Sequence, residues 1–179
     1  ILSVGRLVEK KGYPTLLEAL AQLSPASDWR LTHIGGGPLD GVLKTQAQQL
    51  GIAHRIEWLG ALPQERVLAT YRRADLFVLA AQIAADGDRD GLPNVLMEAQ
   101  SQRLACIATD ISGIPELIRH GETGLLVAPE SAADLSAAIH SLINDPAYRQ
   151  KLADAGFQRL RAHFTMEKGI SDLVRRFEK

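Results

Sequence analysis

The sequence predicts an α/β protein built on a parallel, doubly wound sheet. Its 179 residues, 46% of them apolar, are enough for one domain with a substantial core. Short apolar runs alternate with segments of helical periodicity along most of the chain. Glycines follow the apolar runs at Gly5, at residues 35–37 and at Gly60. In a parallel sheet these glycines lie at the carboxyl ends of the strands, where ligands of this fold class bind.

Six short apolar segments are predicted as buried strands. Breaking residues close several of them, such as Gly-Gly-Gly-Pro after the second and Gly-Ala-Leu-Pro after the third. Each strand is followed by enough chain for a crossover helix, which parallel strands need. The predicted strands are residues 1–4, 29–34, 56–59, 76–79, 105–108 and 124–127.

Helical periodicity fills the intervals between the strands. Pro63 and Pro93 each fit a first helical position, because proline has no N–H to lose there and its φ suits a helix. The last three helices follow one another without a strand, so we expect them to cover the sheet or extend outward. The predicted helices are residues 13–23, 39–50, 63–72, 93–100, 115–119, 132–143, 147–163 and 166–178.

The segment 86–100, DGDRDGLPNVLMEAQ, is the strongest candidate for a binding site. A polar loop turns there into a helix, so residues 91–94 form a helix N-terminus with free N–H groups. The positive end of the helix dipole and these N–H groups favour an anion such as phosphate. Asp90 precedes the helix and Glu98 lies beside its buried stripe, so two carboxylates can flank one ligand.

Two other interpretations apply to the same segment. An acidic residue before a helix often serves only the dipole, and a helical glutamate is often simply solvated. A calcium loop is the second alternative, because Asp86, Asp88, Asp90 and Gly91 match the first half of an EF-hand. The glutamate that should close such a loop falls at Met97, however, which disfavours calcium.

Two cations bracket the loop after the first strand. Arg6 and Lys11 can project into the same crevice as the helix that begins near Pro93. Arginine can hold two phosphate oxygens at once and lysine supplies a point charge, so together they suit a diphosphate. An ordinary solvated loop is the alternative. Neither G-x-G-x-x-G nor G-x-x-x-x-G-K-[ST] occurs, so hydride transfer and P-loop chemistry are poorly supported.

Composition disfavours several other classes of function. A net charge of −1 and 5% aromatic residues, without a basic tract, do not suggest nucleic-acid binding. Cys106 is the single cysteine and lies in an apolar run, as expected of a protein from a reduced compartment. No apolar run approaches the ~20 residues of a transmembrane segment, and the histidines lack paired metal spacing. Because the first strand starts at residue 1, we expect the chain to be a fragment.

Taken together, several motifs resemble the family 4 glycosyltransferases of the GT-B fold. They occur in the family's order along the whole chain, as GR, KG, GGGP, WLGALP, DGLPNVLMEAQ, SGIPELI and GETGLLV. The resemblance implies a Rossmann-like C-terminal, donor-binding domain over residues 1–179, with the acceptor domain upstream. Within the family, the helix motif is similar to that of enzymes of colanic acid and exopolysaccharide synthesis.

The resemblance also implies a role for each matched residue. Arg6 and Lys11 would hold the diphosphate of the donor and stabilise the departing nucleoside diphosphate. Glu98 would bind the ribose, and Leu62 would meet the base. Asp90 stands where the family usually has glutamate, and would contact the donor sugar. Gly5, Gly36 and the backbone of Gly91, Leu92, Pro93 and Asn94 complete the implied donor site.

The implied reaction transfers a sugar from a nucleotide-diphosphate-sugar to an acceptor hydroxyl with retention of configuration. The resemblance implies no metal cofactor and a sugar or lipid-linked acceptor held by the upstream domain. It also implies a cytoplasmic protein, with peripheral attachment to the inner membrane as a further expectation. Sugar-nucleotide epimerisation, phosphorolysis and a non-catalytic nucleotide-binding module are the alternatives. The isolated domain is expected to be inactive.

Overall fold

The computed structural model describes residues 1–164. It contains a six-stranded parallel sheet in the order β3-β2-β1-β4-β5-β6. The predicted α/β, Rossmann-like sheet is therefore confirmed. The strands are β1 (Leu2–Val4), β2 (Leu31–Ile34), β3 (Ile56–Trp58), β4 (Leu76–Leu79), β5 (Ala105–Thr109) and β6 (Leu125–Val127).

Helices cover both faces of the sheet. They are α1 (Tyr13–Ala21), α2 (Asp40–Gln49), α3 (Gln64–Arg73), α4 (Asn94–Ser101), α5 (Ile114–Leu117), α6 (Ala132–Asn144) and α7 (Pro146–His163). The apolar sides of α1, α2 and α6 form one core with the sheet, and those of α3, α4 and α5 form a second core on the opposite face. Burial of both cores provides the main stabilisation of the domain. Helix α7 packs against α4 and α6 at the β5 side of the sheet.

The centre of the sheet is a topological switch point. β1 and β4 are neighbours, with Leu2 paired to Phe77. The chain leaves β1 toward α1 on the first face and leaves β4 toward α4 on the second. The two connections therefore diverge above adjacent strands and leave a crevice at the carboxyl edge, which is where ligands bind in open α/β sheets.

Several helix and strand ends differ from the prediction. Pro63 and Pro93 occupy N-cap positions, with ψ of 147° and 120°, so the prediction that they begin their helices was wrong by one residue. Proline fits an N-cap for the same reason, since the N-cap N–H also lacks an intrahelical acceptor. Trp29 is buried but precedes β2, so that strand is shorter than predicted.

Two single turns of 3₁₀ helix were not predicted, at Glu9–Lys11 and Ala53–Arg55. The first lies in the segment interpreted as a loop, and isolated turns of this kind carry little periodicity. The predicted helix over residues 166–178 lies outside the described residues. Within residues 1–164, no helix combines the length and the apolar character needed to cross a bilayer.

Candidate functional site

Close backbone contacts join the loops that follow β1, β2 and β3. The N–H of Gly5 donates to the Ile34 carbonyl at 2.9 Å, and the N–H of Gly35 donates to the Gly60 carbonyl at 2.8 Å. Gly35 has a φ of +140°, and a Cβ there would lie 1.9 Å from the Gly5 carbonyl oxygen. Only glycine permits this approach. The three strand ends therefore form one continuous backbone ledge.

The loop after β1 also packs against the end of β4. Gly12 has a φ of +63°, and a Cβ there would lie 1.8 Å from the Ala80 carbonyl oxygen. The N–H of Gln82 donates to the Lys10 carbonyl at 2.9 Å. These contacts hold the turn Glu9–Lys11 beside the loop that leaves β4. Two segments about 70 residues apart in sequence are thus fixed together at the switch point.

Charged side chains complete the junction between these two loops. Lys11 Nζ lies 2.6 Å from Asp90 Oδ2, and their side chains are only 12% and 17% exposed. Lys10 Nζ lies 3.0 Å from Asp88 Oδ1 and 3.6 Å from Asp90 Oδ1. The hydrogen bond to Asp88 raises the pKa of Lys10. Glu9 Oε1 accepts the Ala85 N–H at 2.9 Å, so three charged residues of one turn bind the other loop.

These contacts disfavour the calcium interpretation of the acidic loop. The carboxylates of Asp88 and Asp90 face lysine ammonium groups, which already balance their charge. Asp86 Oδ1 accepts the N–H of Asp88 at 2.9 Å, which is a local turn contact. Within residues 1–164, no group of three or more histidine, cysteine, aspartate or glutamate side chains is arranged to hold a metal ion.

The entrance to α4 is supported by the loop after β5, which was not among the predicted site residues. Gly91 is exposed, Pro93 is the N-cap and Asn94 is the first helical residue. The N–H of Gly113 donates to the Gly91 carbonyl at 3.2 Å, and a Cβ at Gly113 would lie 3.3 Å from the same group. Ser112 has a φ of +52°. The only sequence signal for this support was the Ser-Gly-Ile-Pro turn after β5.

Glu98 lies in α4 and faces α3. Its Oε2 is 3.2 Å from the hydroxyl of Tyr71, whose ring is fully buried in the second core. Glu98 is half-buried, and its carboxylate makes no ion pair with another residue of the described part. Tyr71 was not predicted as a site residue, because this contact joins residues of two helices that are 27 positions apart in the sequence.

The remaining predicted site residues lie in the loops around the crevice and on the second face of the sheet. Arg6 is exposed, and among residues 1–164 its guanidinium has no hydrogen bond or ion pair. Gly36 is exposed with open space around it, while its carbonyl accepts the Leu7 N–H. Leu62 and Leu92 are half-buried against the second core, and Leu62 lines a groove beside α3. The structure thus joins Lys11 and Asp90 directly and places Arg6 in the same loop as Lys11.

A neutral polar cluster lies beneath the ledge. His33 is 1% exposed, and its ring contacts Tyr13 at 4.7 Å and Trp58 at 5.4 Å between centroids. Burial lowers the pKa of His33 to about 4, although Asp40 acts in the opposite direction. The imidazole is therefore neutral at physiological pH. The hydroxyl of Tyr13 lies 2.9 Å from the position that a Cβ at Gly5 would take, so the cluster directly backs the ledge.

Known proteins are similar to this chain in sequence and in fold. The chain is 41% identical over 140 residues to the amylovoran biosynthesis glycosyltransferase AmsK of Erwinia amylovora, covering 78% of this chain and 34% of that protein. It is 28% identical over 180 residues to a GDP-mannose-dependent α-(1-6)-phosphatidylinositol monomannoside mannosyltransferase of Mycobacterium tuberculosis, covering 98% of this chain and 47% of that protein.

Two solved structures superpose well on this chain. The C-terminal domain of the group 1 glycosyl transferase LpcC of Francisella tularensis superposes with a TM-score of 0.81 at 25% identity, covering 92% of this chain and 86% of that one. Anabaena HepE, solved in complex with UDP-glucose, superposes with a TM-score of 0.85 at 21% identity, covering 99% of this chain and 48% of that one. This second likeness supports the fold alone.

The chain spans about a third of the length of AmsK and under half of the mycobacterial mannosyltransferase. It therefore corresponds to one part of these relatives. The family model described as glycosyl transferases group 1 matches residues 1–159, which is most of the chain. The chain belongs to the group 1 glycosyl transferase family.

Proposed function

We propose that this chain forms the donor-binding half of an enzyme that transfers a sugar from a nucleotide-diphosphate-sugar to an acceptor hydroxyl with retention of configuration. Family membership supports the class of reaction. The observation that carries the site is the junction at the switch point, where Lys11 Nζ lies 2.6 Å from Asp90 just before the N-terminus of α4. In the proposal, a second domain of the complete protein supplies the acceptor site.

The donor diphosphate would bind between the two loops. Arg6 and Lys11 offer positive charge from the β1 loop, and the N–H groups of Gly91, Leu92 and Asn94 offer donors at the positive end of α4. As the bond from the anomeric carbon to the phosphate oxygen breaks, negative charge grows on the departing nucleoside diphosphate. Groups already held at that position stabilise this charge without reorganising, which lowers the barrier.

The ion pair of Lys11 with Asp90 suits the proposed role of Lys11 in binding the diphosphate. An isolated half-buried ammonium would be costly, and the ion pair with Asp90 offsets that cost. A diphosphate would share or replace Asp90 as the partner of Lys11, so the anion gains a cation that is already oriented. In this arrangement Asp90 lies beside the donor sugar and can accept its hydroxyl groups. No metal ion is required to neutralise the diphosphate in this proposal.

The nucleoside would lie toward α3 and α4. Glu98 carries one carboxylate oxygen that makes no hydrogen bond within residues 1–164, as expected of a group that accepts ribose hydroxyls. Leu62 lies just before α3 and packs on the same face, and in the proposal it meets the base. HepE binds UDP-glucose and a mycobacterial relative is GDP-mannose-dependent, so both nucleotides are candidates.

Calorimetric titration of the chain with UDP and GDP tests the site. We expect Lys11→Ala and Arg6→Ala each to weaken binding of the preferred nucleotide by ~10-fold or more, because each removes a charge-assisted contact. Lys151→Ala, an exposed lysine of α7, is the matched control and should bind as the parent does. Parent-like affinity in both Lys11→Ala and Arg6→Ala would contradict the site assignment.

A second experiment tests the reaction. The complete protein that carries this chain should release the nucleoside diphosphate and form a glycoside with the anomeric configuration of the donor, as read by NMR. AmsK and its relatives are named for polysaccharide synthesis, so saccharide and glycolipid acceptors are tested first. A product of inverted configuration, an epimerised sugar nucleotide or a sugar phosphate would each contradict the proposed reaction. Absence of turnover would favour a non-catalytic module.

A further inference from the structure

Tyr71 links α3 to the candidate site in α4. Its ring is 0% exposed and packs in the second core against Phe77, with 5.6 Å between ring centroids. Its hydroxyl lies 3.2 Å from Glu98 Oε2 and 3.2 Å from the Val95 carbonyl oxygen. One hydroxyl proton therefore serves two acceptors on the first turns of α4. The packed ring leaves the hydroxyl little freedom to move.

Packing alone does not explain a tyrosine at this position. A phenylalanine would fill the same space, and burying a hydroxyl is costly unless it forms a hydrogen bond. Here the hydroxyl faces a carboxylate that has no cation partner within the described residues. Burial raises the pKa of Tyr71, and the nearby charge of Glu98 raises it further. The phenol thus stays protonated at neutral pH and remains a donor.

Glu98 in turn has two inequivalent oxygens. Oε2 accepts from Tyr71, whereas Oε1 makes no hydrogen bond within residues 1–164. A carboxylate on a helix has several rotatable bonds, and ordering them on ligand binding costs free energy. A fixed donor on one oxygen reduces that cost and leaves the other oxygen available to a ligand.

We propose that Tyr71 is a positioning residue for Glu98, holding Oε2 so that Oε1 can accept a hydroxyl group of the bound ribose. This inference rests on the proposed function, because it requires Glu98 to bind the nucleoside. It assigns to the buried hydroxyl of Tyr71 an effect on nucleotide affinity, which a purely structural tyrosine would not have.

The test compares two ligands in each variant. The chain is titrated with the nucleotide that it prefers, UDP or GDP, and with the 2′,3′-dideoxy form of that nucleotide, which lacks the ribose hydroxyls. We expect Tyr71→Phe to weaken binding of the ribonucleotide about 3- to 10-fold and to leave binding of the dideoxy form unchanged. The ratio used is the affinity for the ribonucleotide divided by the affinity for the dideoxy form. A loss of folded protein affects both affinities equally, so this ratio remains informative if the variant is less stable.

Three further variants separate the possible causes. Glu98→Ala should lower the same ratio at least as much as Tyr71→Phe. The double variant should be no worse than Glu98→Ala alone, since Tyr71 acts through Glu98. Tyr148→Phe is the matched control, because its hydroxyl contacts the Gly121 carbonyl and, within residues 1–164, no carboxylate. Its ratio should equal the parent value.

The outcomes distinguish the inference from the proposed function. A parent-like ratio in Tyr71→Phe together with a lowered ratio in Glu98→Ala would overturn the role of Tyr71 and leave the nucleoside site intact. A parent-like ratio in Glu98→Ala would overturn both, since Glu98 would then not bind the ribose. Full additivity in the double variant would also overturn the inference, because the two residues would act independently.

Discussion

Two kinds of junction hold the loops at the carboxyl edge of the sheet. On the β2 and β3 side, the loops meet by direct backbone contact, with a Cβ at Gly35 excluded by the Gly5 carbonyl at 1.9 Å. On the β4 side, the loops also meet through charged side chains, such as Lys11 with Asp90. The first junction cannot change partners, whereas the second can exchange a carboxylate for another anion. Backbone contacts hold both junctions, since Gly12 lies against the Ala80 carbonyl as closely as Gly35 lies against that of Gly5. Only the second junction adds an ion pair, and we propose that the ligand binds there.

The backbone junction on the β2 and β3 side should be highly sensitive to substitution. We expect Gly35→Ala to lower the free energy of unfolding by roughly 4 kcal/mol or more, because its Cβ would overlap the Gly5 carbonyl and its φ is +140°. Urea unfolding measures this change. Gly41→Ala is the control, since nothing lies within 4 Å of a Cβ there, and it should be neutral or slightly stabilising. Equal effects of the two substitutions would contradict the close backbone contact at Gly35.

The neutral imidazole beneath the ledge should make this side sensitive to acid. The pKa of His33 is about 4, below its ordinary 6.5, so the unfolded chain binds a proton first as pH falls. The free energy of unfolding should therefore decrease between about pH 6.5 and pH 4, by about 3 kcal/mol from this group. His33→Leu should flatten that part of the profile. An unchanged profile in this variant would show that other groups govern the acid sensitivity.

On the ligand-binding side, removing the acidic partner should favour the nucleotide. We expect Asp90→Asn to tighten UDP or GDP binding about 3- to 10-fold, because Asp90 competes with the diphosphate for Lys11 and repels it. Calorimetry at low ionic strength measures the change. A loss of affinity as large as that of Lys11→Ala would instead show that Asp90 is needed to orient the lysine.

Loss of the more exposed ion pair, between Lys10 and Asp88, should have the smallest effect on stability and on nucleotide affinity. Asp88 is 56% exposed and its pair with Lys10 is screened by solvent. We expect Asp88→Asn to leave both the unfolding midpoint and nucleotide affinity within measurement error. This variant removes the same charge as Asp90→Asn from the same loop. A comparable change in affinity would mean that general electrostatics, and not the contact with Lys11, sets the response.

The sequence predicted the sheet better than the site. Short apolar runs bounded by turn residues identified all six strands. The helix entrance at residues 91–94 was also predicted, although Pro93 is the N-cap and not the first helical residue. Local pattern is sufficient for features of this kind.

Contacts between distant segments were not predictable from local pattern. Lys11 and Asp90 are 79 residues apart, and only the parallel sheet brings them to one edge. The sequence placed both near the crevice without showing that they touch. The contacts of Tyr71 with Glu98 and of Gly113 with Gly91 depend on how helices and loops pack on the second face. Such contacts carry no periodic signal in the chain.

We propose above all that the loops after β1 and β4 bind one diphosphate together. Backbone amide NMR during titration of the chain with UDP and GDP tests this claim most directly. For the nucleotide that binds, we predict that signals of residues 5–11 and of Gly91, Leu92 and Asn94 shift together with a single dissociation constant. Shifts confined to the groove beside Leu62, or shifts in only one of the two loops, would contradict it.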